Sequence, residues 1–75
     1  MFSKEVFRGR LRACSEAKSL NQQAAADALG LSFNRVNNWF RGIAVPSLDV
    51  AIELADILDV SLDYLTGRTD NPTRL

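Results

Sequence analysis

Histidine is absent from this chain of 75 residues, and cysteine occurs once, at Cys14. Without histidine there is no imidazole to bind a metal ion or to act as a general base. A single thiol cannot form an internal disulfide or make a zinc site by itself. The chain also lacks a glycine-rich phosphate loop and a paired nucleophile and base. These absences predict a protein that is not an enzyme, with no metal and no cofactor.

Long apolar runs are missing as well: no stretch of about 18 apolar residues, the length of a membrane-spanning helix, occurs in the sequence. The first residues also do not resemble a signal peptide. The hydrophobic fraction of 47% is ordinary for a folded protein. Cys14 lies at an apolar-spaced position and is predicted to be a core residue. We expect one small domain in a reducing cytoplasm, with no membrane partner and no evident small-molecule ligand.

The formal net charge is zero, yet the charges are segregated along the chain. Residues 1–42 carry a net charge of +4, and residues 43–66 carry no positive group and a net charge of −5. A basic face of this kind is suited to phosphates, although such segregation also arises by chance in a short chain.

Apolar spacing and capping residues predict an all-α domain of five short helices, with no strand-like alternation. The first helix covers Lys4 to Ala17, with Phe7, Leu11, Cys14 and Ala17 on its apolar face. The others follow the N-caps Asn21, Ser32, Ser47 and Ser61. In the fourth helix, the apolar positions expected to face the core are Leu48, Ala51, Ile52, Ala55 and Leu58. We expect the domain to span residues 1–67 and residues 68–75 to form a polar tail or linker.

The second and third helices are joined only by "GLS", residues 30–32, which predicts a helix-turn-helix. In the third helix, Val36, Trp39 and Phe40 share one arc, and the polar residues Asn34, Asn37, Asn38 and Arg41 share the opposite one. Asparagine matches the donor and acceptor on the adenine edge in the major groove. The alternative is a solvated polar face that has no partner.

Many spaced positions agree with one family: the Leu-Asn-Gln at residues 20–22, Ala26, Leu29-Gly30, Ser32, Val36, the Asn-Trp-x-Arg-Gly at 38–42, Pro46-Ser47-Leu48 and Val60-Ser61-Leu62-Asp63. The stretch from Phe7 to Gly67 resembles the Cro/repressor (Xre-like) helix-turn-helix domains of phage and bacterial regulators. The resemblance implies a compact five-helix, repressor-like DNA-binding domain that acts as a dimer, with its third helix in the major groove.

The resemblance also implies the contacts with DNA. Base-contacting positions fall on Phe33, Asn34 and Asn38, with Asn37 beside them. Phosphate-contacting positions fall on Gln22, Asn21, Ser32, Arg35 and Arg41. Alternatives stay open for three of these residues: Phe33 can fold back onto the core, Gln22 can be merely solvated, and Arg41 can complement the helix dipole.

Two residues depart from the family pattern. Relatives often carry arginine at position 15 and glutamate at position 40, as a partly buried ion pair, whereas this chain has Ser15 and Phe40. Replacing both members of such a pair avoids an unpaired buried charge. We interpret the change as a detail of the core.

The leading hypothesis is a sequence-specific DNA-binding transcriptional regulator, repressor-like, whose partner is a double-stranded DNA operator. We expect a homodimer, with its contact at Leu62 to Leu65 and the tail; the alternative is that these leucines all belong to the core. The alternative is a protein-interaction module on the same fold, such as an antitoxin that masks a partner.

Overall fold

The computed structural model describes residues 2–73, and within that range the chain is helical with no strand. The helices are α1 (Lys4–Ala17), α2 (Gln22–Leu29), α3 (Phe33–Phe40), α4 (Leu48–Leu58) and α5 (Leu62–Leu65). The predicted all-α class and the five helices are confirmed.

Local capping explains where most of these helices begin. The side chains of Ser3, Asn21, Ser32 and Ser61 each accept a hydrogen bond from the backbone N–H three residues later. Ser47 occupies the N-cap position of α4 but makes no such bond. Its hydroxyl instead donates to Asp49 Oδ1 at 2.6 Å, and this bond lowers the pKa of Asp49.

All five helices contribute to a single core. α1 packs against α3 and α5, α2 packs against α3 and α4, and α4 packs against α5. Phe7, Leu11 and Cys14 are buried as predicted, whereas Ala17 is exposed. Burial raises the pKa of the Cys14 thiol, although the nearby Arg10 opposes this effect.

The predicted apolar face of α4 is partly wrong. Leu48 is 69% exposed and Ile52 is 45% exposed, while Leu54, which was not assigned to the face, is fully buried. The reason is that α4 contacts α2 and α5 through a neighbouring arc of the helix. The buried residues on that arc are Ala51, Leu54, Ala55 and Leu58.

Ser15 and Phe40 are both buried, as expected for a detail of the core. The Ser15 Oγ atom has no hydrogen-bond partner among the described residues. The ion pair of the family pattern is therefore replaced by a phenyl ring and an unpaired hydroxyl.

The segment that follows Gly67 contacts the domain. The Arg10 guanidinium donates to the carbonyl oxygens of Tyr64 and Thr69 and forms an ion pair with Asp70 at 2.7 Å. It also lies 4.2 Å from the centre of the Tyr64 ring, which is within cation–π range. The predicted boundary at Gly67 stays a prediction, but residues 69 and 70 are held against α1 and α5.

Candidate nucleic-acid interface

The turn between α2 and α3 has the local features that a helix-turn-helix needs. Gly30 adopts φ +70°, a left-handed conformation that favours glycine, and its N–H closes the end of α2. The N–H of Leu31 bonds to the carbonyl of Ala26 at 3.0 Å. Ala26 is fully buried where α2 packs against α3, so its small side chain lets the two helices approach closely.

The two faces of α3 are separated as the sequence predicted. Val36, Trp39 and Phe40 are buried in the core. Phe33 and Asn34 are exposed, and Asn37 and Asn38 are half-buried. We call these last four residues the base-contacting face, after the contacts that the sequence predicts for them.

Phe33 does not fold back onto the core. It is the first residue of α3, its side chain is 43% exposed, and it stands outside the cluster of buried hydrophobic residues. An exposed phenyl group next to asparagines gives this face both an apolar contact and hydrogen-bonding groups. In the major groove, such a phenyl group matches the methyl group of thymine.

The N-caps of α2 and α3 retain hydrogen-bond donors. Asn21 Oδ1 accepts from the Ala24 N–H at 2.8 Å, and Ser32 Oγ accepts from the Arg35 N–H at 3.2 Å. Each cap uses an acceptor atom, so the Asn21 amide and the Ser32 hydroxyl can still donate outward. Gln22, the first residue of α2, directly follows Asn21 and is half-buried, and Arg35 is exposed.

Two arginines of α1 lie at the other end of α3. Arg12 Nε donates to the Phe40 carbonyl at 3.0 Å, and the Arg8 side chain lies against Gly42, where an added Cβ would come within 3.1 Å of Arg8 Cδ. Arg41, the C-cap residue of α3, belongs to the same end of this helix and is exposed. The site residues assigned from sequence did not include Arg8 and Arg12. Their four-residue spacing puts them on one side of α1, which is the only sequence signal that links them.

Arg10 is separated from that group, although all three arginines belong to α1. Its guanidinium is engaged by Tyr64, Thr69 and Asp70 on the α5 side of the domain. The positive charge of the first helix is therefore divided between α3 and the C-terminal segment.

Within residues 2–73, no helix is long and apolar enough to cross a membrane. The same residues contain no group of three or more acidic or cysteine side chains able to hold a metal ion.

These features define a helix-turn-helix protein whose α3 exposes a mixed polar and aromatic face. The helix-turn-helix family model matches residues 11–65. The chain belongs to this family of Cro/C1-type, Xre-like domains. The family is a non-enzymatic DNA-binding family, which agrees with the expectation that the chain is not an enzyme.

The chain is also similar to curated proteins that are named as transcriptional regulators or repressors. The chain is 38% identical over 66 residues to the uncharacterised HTH-type transcriptional regulator YqaE of Bacillus subtilis, covering 88% of this chain and 57% of the relative. It is 34% identical over 61 residues to the uncharacterised regulator YazB of Bacillus subtilis, covering 81% and 88%. It is 30% identical over 59 residues to the cryptic phage CTXphi transcriptional repressor RstR of Vibrio cholerae, covering 76% and 53%.

The chain spans little more than half the length of YqaE and RstR. No solved structure matches it significantly.

Proposed function

We propose that this protein is a sequence-specific DNA-binding transcriptional regulator of the repressor-like type, which acts in the cytoplasm as a homodimer. The observation that carries the proposal is the division of α3 into a buried apolar arc and a base-contacting face whose residues are exposed or half-buried. A helix presented in this way fits the major groove, where side chains contact the edges of bases.

The contacts divide by role. Asn34 and Asn38 are suited to adenine edges, Phe33 to a thymine methyl group, and Asn37 stands beside them. Phosphates are met at the N-terminal ends of α2 and α3 by Asn21, Gln22 and Ser32, and by the arginines Arg35 and Arg41. Phosphate contacts fix the position of the domain on the duplex, while base contacts determine the sequence that it prefers.

Repressor-like activity is supported by the similarity to RstR, whose name describes a transcriptional repressor. A bound dimer that covers a promoter would block transcription directly. A reporter gene with the selected duplex placed over its promoter tests the direction of the effect, and lower expression is the expected result.

Selection from randomised duplexes, followed by titration of the enriched duplex at several salt concentrations, tests DNA binding itself. We expect one enriched sequence and an affinity that falls steeply with salt, with a slope of about −0.9 for each neutralised phosphate. A scrambled duplex of the same length is the control.

Failure to enrich any sequence, together with an affinity that does not respond to salt, would contradict the proposal. That result would favour the alternative suggested by the zero net charge. In that alternative the same fold binds a protein partner, as an antitoxin does.

A further inference from the structure

The chain reverses direction after α5 and runs back along that helix. Gly67 adopts φ +87° just after the helix ends, a left-handed conformation that favours glycine. Farther on, the carbonyl of Pro72 accepts a hydrogen bond from the N–H of Ser61 at 3.2 Å. Ser61 is the N-cap residue of α5, so residue 72 lies beside the start of the helix that residue 67 follows. We call residues 69–73 the return segment.

One side chain of α1 holds the beginning of the return segment. Arg10 Nη1 donates to the carbonyl oxygens of Tyr64 and Thr69, and Arg10 Nη2 donates to Asp70 Oδ1 at 2.7 Å. The guanidinium also lies over the Tyr64 ring, and the Arg10 side chain is only 19% exposed. Hydrogen bonds from a charged donor are stronger than those between neutral groups. Arg10 therefore joins α1, α5 and the return segment at one point.

The return segment is attached by polar bonds and not by apolar packing. Residues 70–73 are exposed and Thr69 is half-buried, so none of the five belongs to the core. Thr69, Asn71 and Thr73 border a hollow of about 430 Å³, whose other walls include Ser61 and Leu62. Regions with few buried apolar contacts open at a lower free-energy cost than the core does. The return segment can therefore detach while the core stays folded.

The position of α5 does not depend on the return segment. Leu65, its last residue, is fully buried in the core, so the dimer contact expected from the sequence is wrong at this leucine. The Arg68 N–H donates to the Asp63 carbonyl at 2.8 Å and closes the C-terminal end of the helix. A helix that is anchored in the core and closed at its end can stay folded when the residues beyond it detach.

We propose that Arg10 and the return segment form a latch, which opens and closes as a unit while the five helices stay folded. The latch sets the point from which any chain that follows residue 73 leaves the domain. With the latch closed, that point lies beside the N-terminal end of α5, next to Ser61. With the latch open, the chain leaves from the other end of α5, and the five freed residues reach up to roughly 17 Å. Opening therefore changes both the direction and the length of the tether.

The bonds of the latch should contribute unequally. The Asp70 side chain is fully exposed, and an ion pair with an exposed partner contributes little because water and salt screen it. The carbonyl groups of Tyr64 and Thr69 share the largely buried guanidinium of Arg10. We therefore expect Arg10 to control opening, with a smaller contribution from the charge of Asp70.

Hydrogen exchange at single amides, followed by NMR on the 75-residue chain without DNA, tests the latch. The Ser61 N–H reports on it, because its bond to Pro72 exists only while the latch is closed. The N–H of Leu54, a fully buried residue of α4, reports on unfolding of the core. We expect Arg10→Met to accelerate exchange at Ser61 by about tenfold or more, and to change exchange at Leu54 much less.

Two exposed aspartates provide a matched comparison that does not disturb the core. Asp70→Asn should accelerate exchange at Ser61 by up to about fivefold. Asp63→Asn removes the same charge from a carboxylate that lies near Arg68 and not Arg10, and it should leave the Ser61 rate unchanged. Equal effects of the two variants would show that net charge, and not the bond to Arg10, holds the segment.

Three further results would overturn the inference. Unprotected exchange at Ser61 in the wild type would show that the return segment is not held. An unchanged Ser61 rate in Arg10→Met would show that Arg10 does not hold it. Equal acceleration at Ser61 and Leu54 would show that the segment detaches only when the whole domain unfolds. These measurements involve no DNA, so they are independent of the proposed function.

Discussion

Arg12 on α1 holds the C-terminal end of α3 through its Nε atom, which donates to the Phe40 carbonyl at 3.0 Å. The carbonyl groups in the last turn of a helix have no partner within the helix, so a donor from another helix stabilises that end. The bond joins residues that are 28 positions apart and fixes the helix that carries the base-contacting face against α1.

We expect Arg12→Met to lower the free energy of unfolding by about 1 kcal/mol, because it keeps most of the side-chain stem and removes a charged donor. For a domain of this size that loss lowers the melting temperature by about 4–8 °C. Thermal unfolding followed by circular dichroism measures it. Lys4→Met, at an exposed position two turns earlier on α1, is the control and should leave the melting temperature nearly unchanged.

Ser15→Ala should stabilise the protein. The Ser15 hydroxyl is buried and has no partner among residues 2–73, and a buried polar group without a hydrogen bond costs about 1–3 kcal/mol. Removing it leaves the surrounding apolar contacts in place. Denaturant titration should show a higher midpoint at an unchanged slope, and a lower midpoint would mean that the hydroxyl has a stabilising partner.

Two glycine-to-alanine changes should have opposite effects. Gly9 is exposed within α1, and an added Cβ there meets no atom within 4 Å, so Gly9→Ala should stabilise by about 0.5–1 kcal/mol. Gly30 has equal space but a φ of +70°, so Gly30→Ala should destabilise by about 1 kcal/mol. Equal effects in chemical denaturation would show that backbone conformation is not what distinguishes the two sites.

The helices were predictable because their signals are local. The N-cap residues and the glycines that end helices act within a few positions of the sequence, and so does the apolar spacing that placed α1 at its observed bounds. The buried arc of α4 was not predictable in the same way. Apolar residues cover more than half of the circumference of that helix, so only its contacts with α2 and α5 select Leu54 and leave Leu48 exposed.

The candidate site shows the same limit. The asparagines of α3 were assigned to one face from helical periodicity, and the structure places them together. The bond from Arg12 to Phe40 and the separate engagement of Arg10 depend on how α1 packs against α3 and α5. Counting the charges of α1 gives three arginines, but it does not predict which elements each of these arginines contacts.

Phe33 should contact a thymine methyl group in the preferred duplex. Replacing thymine by uracil at the contacted position removes only that methyl group, so wild-type affinity should fall. Phe33→Ala should bind both duplexes with the same affinity, because the contact is already absent. Titration of the four protein and duplex combinations tests this. An equal loss on uracil substitution in both proteins would show that Phe33 does not contact the methyl group.

Asn34 and Asn38 carry the central claim that the exposed side of α3 determines sequence preference. A good bidentate contact with a base is worth about 1–3 kcal/mol of discrimination against the wrong base. Asn34 is exposed and Asn38 is half-buried, and neither is among the buried residues of α3, so Asn34→Ala and Asn38→Ala should leave the melting temperature nearly unchanged. Gln22→Ala is the matched comparison, since the phosphate contact proposed for Gln22 would be common to all sequences.

The most direct measurement is the ratio of affinities for the selected and the scrambled duplex, at one fixed salt concentration, for wild type and these three variants. We predict that Asn34→Ala and Asn38→Ala each lower the ratio by about 5-fold to 150-fold. Gln22→Ala should weaken binding to both duplexes and keep the ratio. If both asparagine variants kept the wild-type ratio, the base-contacting face would not determine the sequence that the protein binds.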